Sequence, residues 1–395
     1  MEAATPAGHS RRVLIAGLGI TQILAWGSSY YLPAVLAVPI AKDTGWSLAW
    51  VIAGLSCGLL LAGLVSPITG RLIQRHGGRP VLAASSLLLA AAHSLLATAT
   101  DYPLYLAAWL LMGLGMSSGL YDAGFATLGR LYGQSARGAI TNLTLFGGFA
   151  STICWPISAF LVEHGGWRTA CLAYAAIHLA ICLPLHLWII PSPPAAAPAP
   201  VKDRSKEAST TGRARARFIL LASIQTLAAL VASMLSVHLL TLLQLRGASL
   251  AAAVGLGALV GPSQVGARVA ELLIGRNRHH PIWTMLTSVT LLAAGIWLLL
   301  TSQTFVALAL ILYGAGNGIH TIARGALPLV LFDPQQYAVL MGKLATPSLI
   351  VQAAAPSVGA LLFGTGGANL VLVTLALAAT VNAGLCICLL ASMRR

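Results

Sequence analysis

GLGMSSGLYDAG, residues Gly113–Gly124, returns further along the chain as GAGNGIHTIARG, residues Gly314–Gly325. Aligned on their first glycines, at an offset of 201 residues, the two segments carry one charge each, one position apart: Asp122 and Arg324. Both charges lie inside long apolar runs. A charge at the centre of a membrane helix costs about 2.5–3.5 kcal/mol on insertion scales, so it is normally retained for a reason. Complementary charges at repeat-related positions predict a duplicated membrane fold with a central site or gate.

Working outward, the chain of 395 residues is 57% hydrophobic and only 8% charged, with a mean hydropathy of +0.84. A soluble fold of this length needs far more polar surface, so these values indicate an integral membrane protein. About 20 apolar residues span a bilayer core as a helix. Twelve stretches are long enough: 13–40, 47–72, 80–99, 103–131, 138–162, 167–190, 218–243, 249–274, 281–301, 304–331, 338–363 and 367–391. The alternating ~10-residue segments of an outer-membrane barrel are absent. The expected class is an all-α polytopic membrane protein, with twelve transmembrane helices arranged as two pseudo-symmetric six-helix bundles.

The net charge of +14 is distributed by loop. Of 23 Lys and Arg residues, 17 fall on one side of the twelve stretches, 3 on the other, and Arg268, Arg324 and Lys343 lie inside them. The positive-inside rule then places both termini and the basic run around Lys202 in the cytoplasm, with the protein in the cytoplasmic membrane. The basic excess is read as topology rather than a nucleic-acid footprint. The first stretch is too long for a signal-peptide core and is expected to be retained. Six scattered cysteines form no CxxC pair and are read as small packing residues, so no metal site is expected.

Residues 191–217, PSPPAAAPAPVKDRSKEASTTGRARAR, pass from proline and alanine into a polar basic run and read as a flexible linker. The expected domains are a bundle over 1–190, this linker, and a second bundle over 218–395. Weaker landmarks support the duplication: Pro67 with Pro262, Ser85 with Ser288 and Pro156 with Pro356, at offsets of 195, 203 and 200 residues. Six helices per half give repeats of one orientation, related by an axis along the membrane normal.

Between the second and third stretches stands GRLIQRHGGRP, Gly70–Pro80. With Gly113-x-Gly115 and the twelve-stretch plan, it resembles the major facilitator superfamily over essentially the whole chain. Gly70, Arg75, Gly77 and Arg79 match that superfamily's loop signature, whereas Gln74 stands where an aspartate is usual. Trp109 replaces a frequent arginine. Trp155-Pro156 stands where antiporter members carry glycine-proline. Gln264-Val-Gly-Ala-Arg268 is similar to the Asp-x-x-x-Arg stretch of the monocarboxylate carriers, and an arginine there binds carboxylate in the related oxalate:formate group. The resemblance implies alternating access, with the first, fourth, seventh and tenth helices lining a cavity.

These residues suggest a division of labour. Arg268 is the leading ligand for an organic anion, because a guanidinium fork matches a carboxylate and stays charged when buried. Gln264 replaces the family acid, and Glu271, at i+3 from Arg268, either neutralises it or snorkels. Asp122 and Arg324 form a gate, a proton site or a packing pair; burial raises a carboxyl pKa and a nearby arginine lowers it, so motion of the pair would gate a proton. Trp26, Tyr30 and Tyr31 either wall the cavity or sit in an interfacial belt. Tyr121 neighbours Asp122, and His320 shares a helix face with Arg324.

No GxSxG, HExxH or P-loop pattern occurs, which argues against an enzyme or an ATP-driven pump. The sequence therefore predicts a monomeric secondary carrier that takes up or exchanges a small organic anion, a monocarboxylate above all, with proton coupling and no cofactor. The alternatives are a drug or metabolite efflux antiporter and, in another class, a membrane sensor without transport.

Overall fold

The computed structural model describes residues 10–191, 207–275 and 279–394. Every regular element among the described residues is helical. Apolar segments in a bilayer have no water to satisfy their backbone, and a helix closes its own hydrogen bonds. Nine helical runs among the described residues are long and apolar enough to cross a membrane. Two exceed any single crossing: Tyr102–Ile189 has 88 residues and Pro334–Met393 has 60. The chain is a multi-pass membrane protein, and its large exposed side chains, such as Trp188, Leu273 and Leu361, are those a lipid environment accommodates.

Contacts divide the chain into two compact units. The first takes Met1–Ala196 with Pro334–Ala353. Its helices are α1 (Arg11–Ser28), α2 (Pro33–Thr44), α3 (Leu48–His76), α4 (Gly78–Ala97), α5 (Tyr102–Gly119), α6 (Tyr121–Tyr132), α7 (Ala136–Gly148), α8 (Ala150–Ile177) and α9 (Leu183–Ile189). A π-helical turn, His178–Cys182, joins the last two. Ser47 and Asp101 start α3 and α5 by accepting the orphan N–H groups of Trp50 and Leu104. The core holds Leu36, Leu96, Tyr105, Trp109, Met112 and Tyr174.

The second unit takes Ala197–Asp333 with Ala354–Arg395. It contains α10 (Glu207–Leu245), α11 (Leu250–Gly257), α12 (Val260–Gly275), α13 (Pro281–Thr301), α14 (Val306–Leu331) and most of α15 (Tyr337–Arg394). Leu235, Leu292, Ile296, Tyr313 and Leu375 form its core.

Several sequence expectations change at this level. The stretch 13–40 is broken at Ser29–Leu32, just before Pro33, and 103–131 is broken at Leu120, whose backbone is extended. The stretch 249–274 is interrupted between Gly257 and Val260. The expected 70–80 loop is a single joint: α3 runs on to His76, α4 starts at Gly78, and Gly77 between them has φ +83. Gly70 and Arg75 are therefore helical, and Arg79 lies in α4. The linker was expected to run to 217, yet α10 already begins at Glu207; the rest of it, 192–206, lies outside the described residues.

The same local devices recur in the two halves of the sequence. Asp101 Oδ1 accepts from Leu104 N–H at 2.9 Å, and Ser302 Oγ from Phe305 N–H at 3.2 Å. The 3-10 turns Gly133–Ser135 and Pro334–Gln336 correspond. Gly166 and Gly367 break long helices with φ of +77 and +62. All three pairs stand at the offset of 201 residues seen for Gly113 and Gly314.

Candidate functional site

The repeated glycines are crossing points. A Cβ on Gly113 would lie 2.3 Å from the Gly58 carbonyl oxygen of α3, and one on Gly314 would lie 2.7 Å from the Val260 carbonyl of α12. Gly115 packs on Leu89 of α4 and Gly316 on Leu292 of α13. Backbone-to-backbone contact of this kind leaves no room for a side chain and fixes each polar neighbour's position.

In the first unit, the two helix breaks meet. Gln22 of α1 donates its Nε2 to the Gly119 carbonyl at 2.6 Å, satisfying the last carbonyl of α5. Trp26 lies one turn further along α1, with ring centroids 5.1 Å from Tyr121, 5.4 Å from Tyr30 and 6.1 Å from Tyr31. Tyr121 stacks on Phe125, and its hydroxyl donates to the Thr144 carbonyl at 3.3 Å. The four sequence-predicted aromatics thus form one cluster. The Trp26 indole N–H is buried without a hydrogen-bond partner among the described residues.

Asp122 is not in a helix interior. It occupies the first turn of α6, directly after the break at Leu120, where the positive end of the helix dipole favours a carboxylate. Beside it is a small, partly open cavity lined by Ser66, Thr69, Ser117, Asp122 and Gly342 among others. The hydroxyls of Thr69 and Ser117 lie 3.0 Å apart. Gly70 borders the same cavity, and a Cβ there would lie 2.4 Å from the Ala338 carbonyl at the start of α15. Arg130 donates to the Gln74 carbonyl at the end of α3, which ties down the segment where the usual acid is missing. Arg75 is exposed and Arg79 half-buried.

In the second unit, Arg268 of α12 is 4% exposed. Its Nε donates to the Gly318 carbonyl at 3.2 Å, and an Nη lies 3.4 Å from the Thr321 hydroxyl. Both partners belong to α14. Gly318 makes this possible, because a Cβ there would lie 2.4 Å from the Gln264 carbonyl. His320, also on α14, has its Nδ1 3.2 Å from the Ser288 hydroxyl. Glu271 accepts from Thr284 at 2.8 Å and lies 3.5 Å from His279 Nε2. Arg324 is half-buried, and its own carbonyl accepts from Gln225 Nε2 at 3.4 Å. Arg268 and the Gln264 backbone thus meet α14 at Gly318, while His320 and Glu271 each pair with a hydroxyl of α13.

Sequence reasoning passed over a third group, His93, His178 and His186, all buried in the first unit. The signal was present as single histidines in apolar runs, but hydropathy does not say which of them face one another across helices.

Residues 18–278 match the Major Facilitator Superfamily. Human monocarboxylate transporter 11 is 32% identical over 163 residues, 40% of this chain and 33% of that protein. Monocarboxylate transporter 3 of Rattus norvegicus is 32% identical over 144 residues, 36% and 27%. The chain thus matches about a third of the length of these relatives. Among solved structures, the human organic anion transporter MFSD10 aligns with a TM-score of 0.72 at 16% identity, covering 95% of this chain and 99% of that one. The transporter FucP in its outward conformation aligns with 0.74 at 15%, covering 95% and 98%. The matched family and the matched fold agree: the chain belongs to the Major Facilitator Superfamily and stands among transporters, not enzymes.

Proposed function

We propose that this protein is a secondary active transporter that moves a small organic anion, a monocarboxylate above all, across the cytoplasmic membrane by alternating access with proton coupling. In this reading twelve spans form two pseudo-symmetric six-helix bundles, 1–190 and 218–395, with both termini and the intervening linker cytoplasmic. The recurrence of caps, turns and glycine breaks at one offset supports the duplication.

The observation that carries the substrate class is Arg268. A guanidinium held 4% exposed within a membrane helix needs anionic or strongly polar company, and its plane is fixed by the Gly318 carbonyl. A fixed guanidinium presents parallel donors to a carboxylate, which a lysine ammonium does not. The names of the two monocarboxylate relatives and of the organic anion transporter point the same way. Asp122 is assigned to proton coupling or gating with Arg324 and Glu271, and Trp26, Tyr30, Tyr31, Tyr121, His320 and Gln264 to the substrate's surroundings. Gly70, Arg75, Gly77 and Arg79 serve the conformational change.

The test is uptake into proteoliposomes, after a thermal-shift screen of the purified protein against organic acids, amino acids, nucleosides and drugs. Stabilisation by short carboxylates and acceleration of their uptake by an inward proton gradient are expected. Stabilisation by lipophilic cations alone would overturn the reading in favour of an efflux antiporter.

A further inference from the structure

The group of histidines missed by sequence reading makes a site of its own. His93 of α4 is fully buried. Its Nε2 lies 2.9 Å from the Ser28 carbonyl and its Nδ1 2.7 Å from the Leu89 carbonyl. A carbonyl oxygen only accepts, so each of these contacts asks for an N–H. A neutral imidazole carries one N–H, and only the imidazolium carries two. One of the two contacts is therefore a lone-pair collision unless the ring is protonated.

The surroundings favour that proton in part and oppose it in part. Ser28 is the last residue of α1, so its carbonyl belongs to the helix end where a cation is stabilised by the macrodipole. Hydrogen bonds from an imidazolium are about twice as strong as neutral ones. Burial works the other way and favours the neutral ring. The titratable rings facing His93 from the neighbouring helix are Tyr174 and His178, each with centroids 5.7 Å away. The Tyr174 hydroxyl is engaged elsewhere, with Ser158 at 2.6 Å and the Cys154 carbonyl at 3.1 Å. His178 Nε2 lies 2.8 Å from the Ser28 hydroxyl, so the same residue at the break of α1 is held from both sides. Further along, His186 Nδ1 lies 2.9 Å from the Ser86 hydroxyl. The remaining ring nitrogens, His178 Nδ1 and His186 Nε2, are buried without partners among the described residues. His178 opens the π-helical turn, a distortion often found at functional sites.

We propose that His93 is a proton-binding site whose imidazolium bridges the Ser28 and Leu89 carbonyls, and whose deprotonation releases one of them. The Leu89 contact is internal to α4, whereas the Ser28 contact joins α4 to the broken end of α1. Where the Ser28 contact is the one released, the end of α1 keeps only the His178 tie on the Ser28 hydroxyl, next to the break that carries Tyr30 and Tyr31 beside Trp26. On the transport reading, this gives a second protonation point besides Asp122; proton binding itself does not depend on that reading.

The experiment is nitrogen-15 NMR of the full chain in nanodiscs with labelled histidine, recorded as a pH series. The ten histidines of the chain are resolved by comparing wild type with His93→Gln. The expected result is one ring with both nitrogens protonated at neutral pH, and the loss of that ring in the variant. A single neutral tautomer for His93 down to mildly acidic pH would overturn the proposal. Because His93→Gln can fail to fold, His93→Lys is the companion: its ammonium supplies donors to both carbonyls. Wild-type thermal stability at alkaline pH, with loss of the pH dependence of tryptophan fluorescence, is expected; an unchanged pH dependence would again overturn it. Failure of either result leaves the carboxylate reading intact, since that is tested by uptake.

Discussion

Arg268 shows how much a single side chain decides in a low-dielectric setting. Its donors to the Gly318 carbonyl and the Thr321 hydroxyl set the plane of the fork against α14. Arg268→Lys keeps the charge and loses the plane. On the proposed reading, this variant should abolish carboxylate uptake at unchanged protein abundance; unaltered apparent affinity would refute the assignment. Asp122 is the complementary case. Asp122→Asn preserves shape and removes the titratable group, so proton-driven uptake should fall severalfold or vanish while counterflow at equal pH survives. If Asp122 and Arg324 act together, exchanging their charges should recover part of the activity lost in either single neutralisation, measured as initial uptake rate. The presence of these charges was legible from sequence, because any charge in a run of this hydropathy stands out. Their settings were not. Asp122 turned out to start a helix, and the histidines at 93, 178 and 186 drew no notice because one polar residue in an apolar run looks the same whether or not it has a partner.

At the scale of elements, the glycines separate into those that touch a neighbour and those that do not. Gly318 faces the Gln264 carbonyl at 2.4 Å from its would-be Cβ, and the obstacle is backbone. Gly318→Val should therefore destabilise the α12–α14 crossing by at least the ~1–3 kcal/mol typical of overpacking, seen as a lower Tm. Gly384 in α15 meets nothing within 4 Å, so Gly384→Ala should be neutral or raise Tm slightly through helix propensity, by at most ~1 kcal/mol. Equal effects at both sites would show that the crossing is not close-packed. The helix breaks divide in the same way. Pro33 follows the one at Ser29–Leu32 as the first residue of α2, where its missing N–H costs no helical bond, although Pro39 and Pro67 lie inside helices without ending them. Leu120 carried no such mark. Hydropathy alone does not mark a break in SGLYDAG, where the contact of Gln22 with the Gly119 carbonyl replaces one of the backbone bonds the break gives up.

At the scale of the whole molecule, the proposed orientation makes a direct prediction. A tag at the C-terminus should be cleaved by protease in inside-out vesicles and protected in right-side-out ones, and the reverse result would overturn the positive-inside assignment. The membrane character and the return of the Gly113–Gly124 pattern at Gly314–Gly325 are properties of the sequence alone. Hydropathy sums over neighbouring residues, and an offset of 201 residues survives any change of conformation. Which polar groups meet depends on how far each helix is rotated and where its backbone breaks. Those quantities are set by packing against other helices, so only the tertiary structure placed Arg268 on the carbonyl of Gly318, Trp26 against Tyr121, and His93 between two carbonyl oxygens.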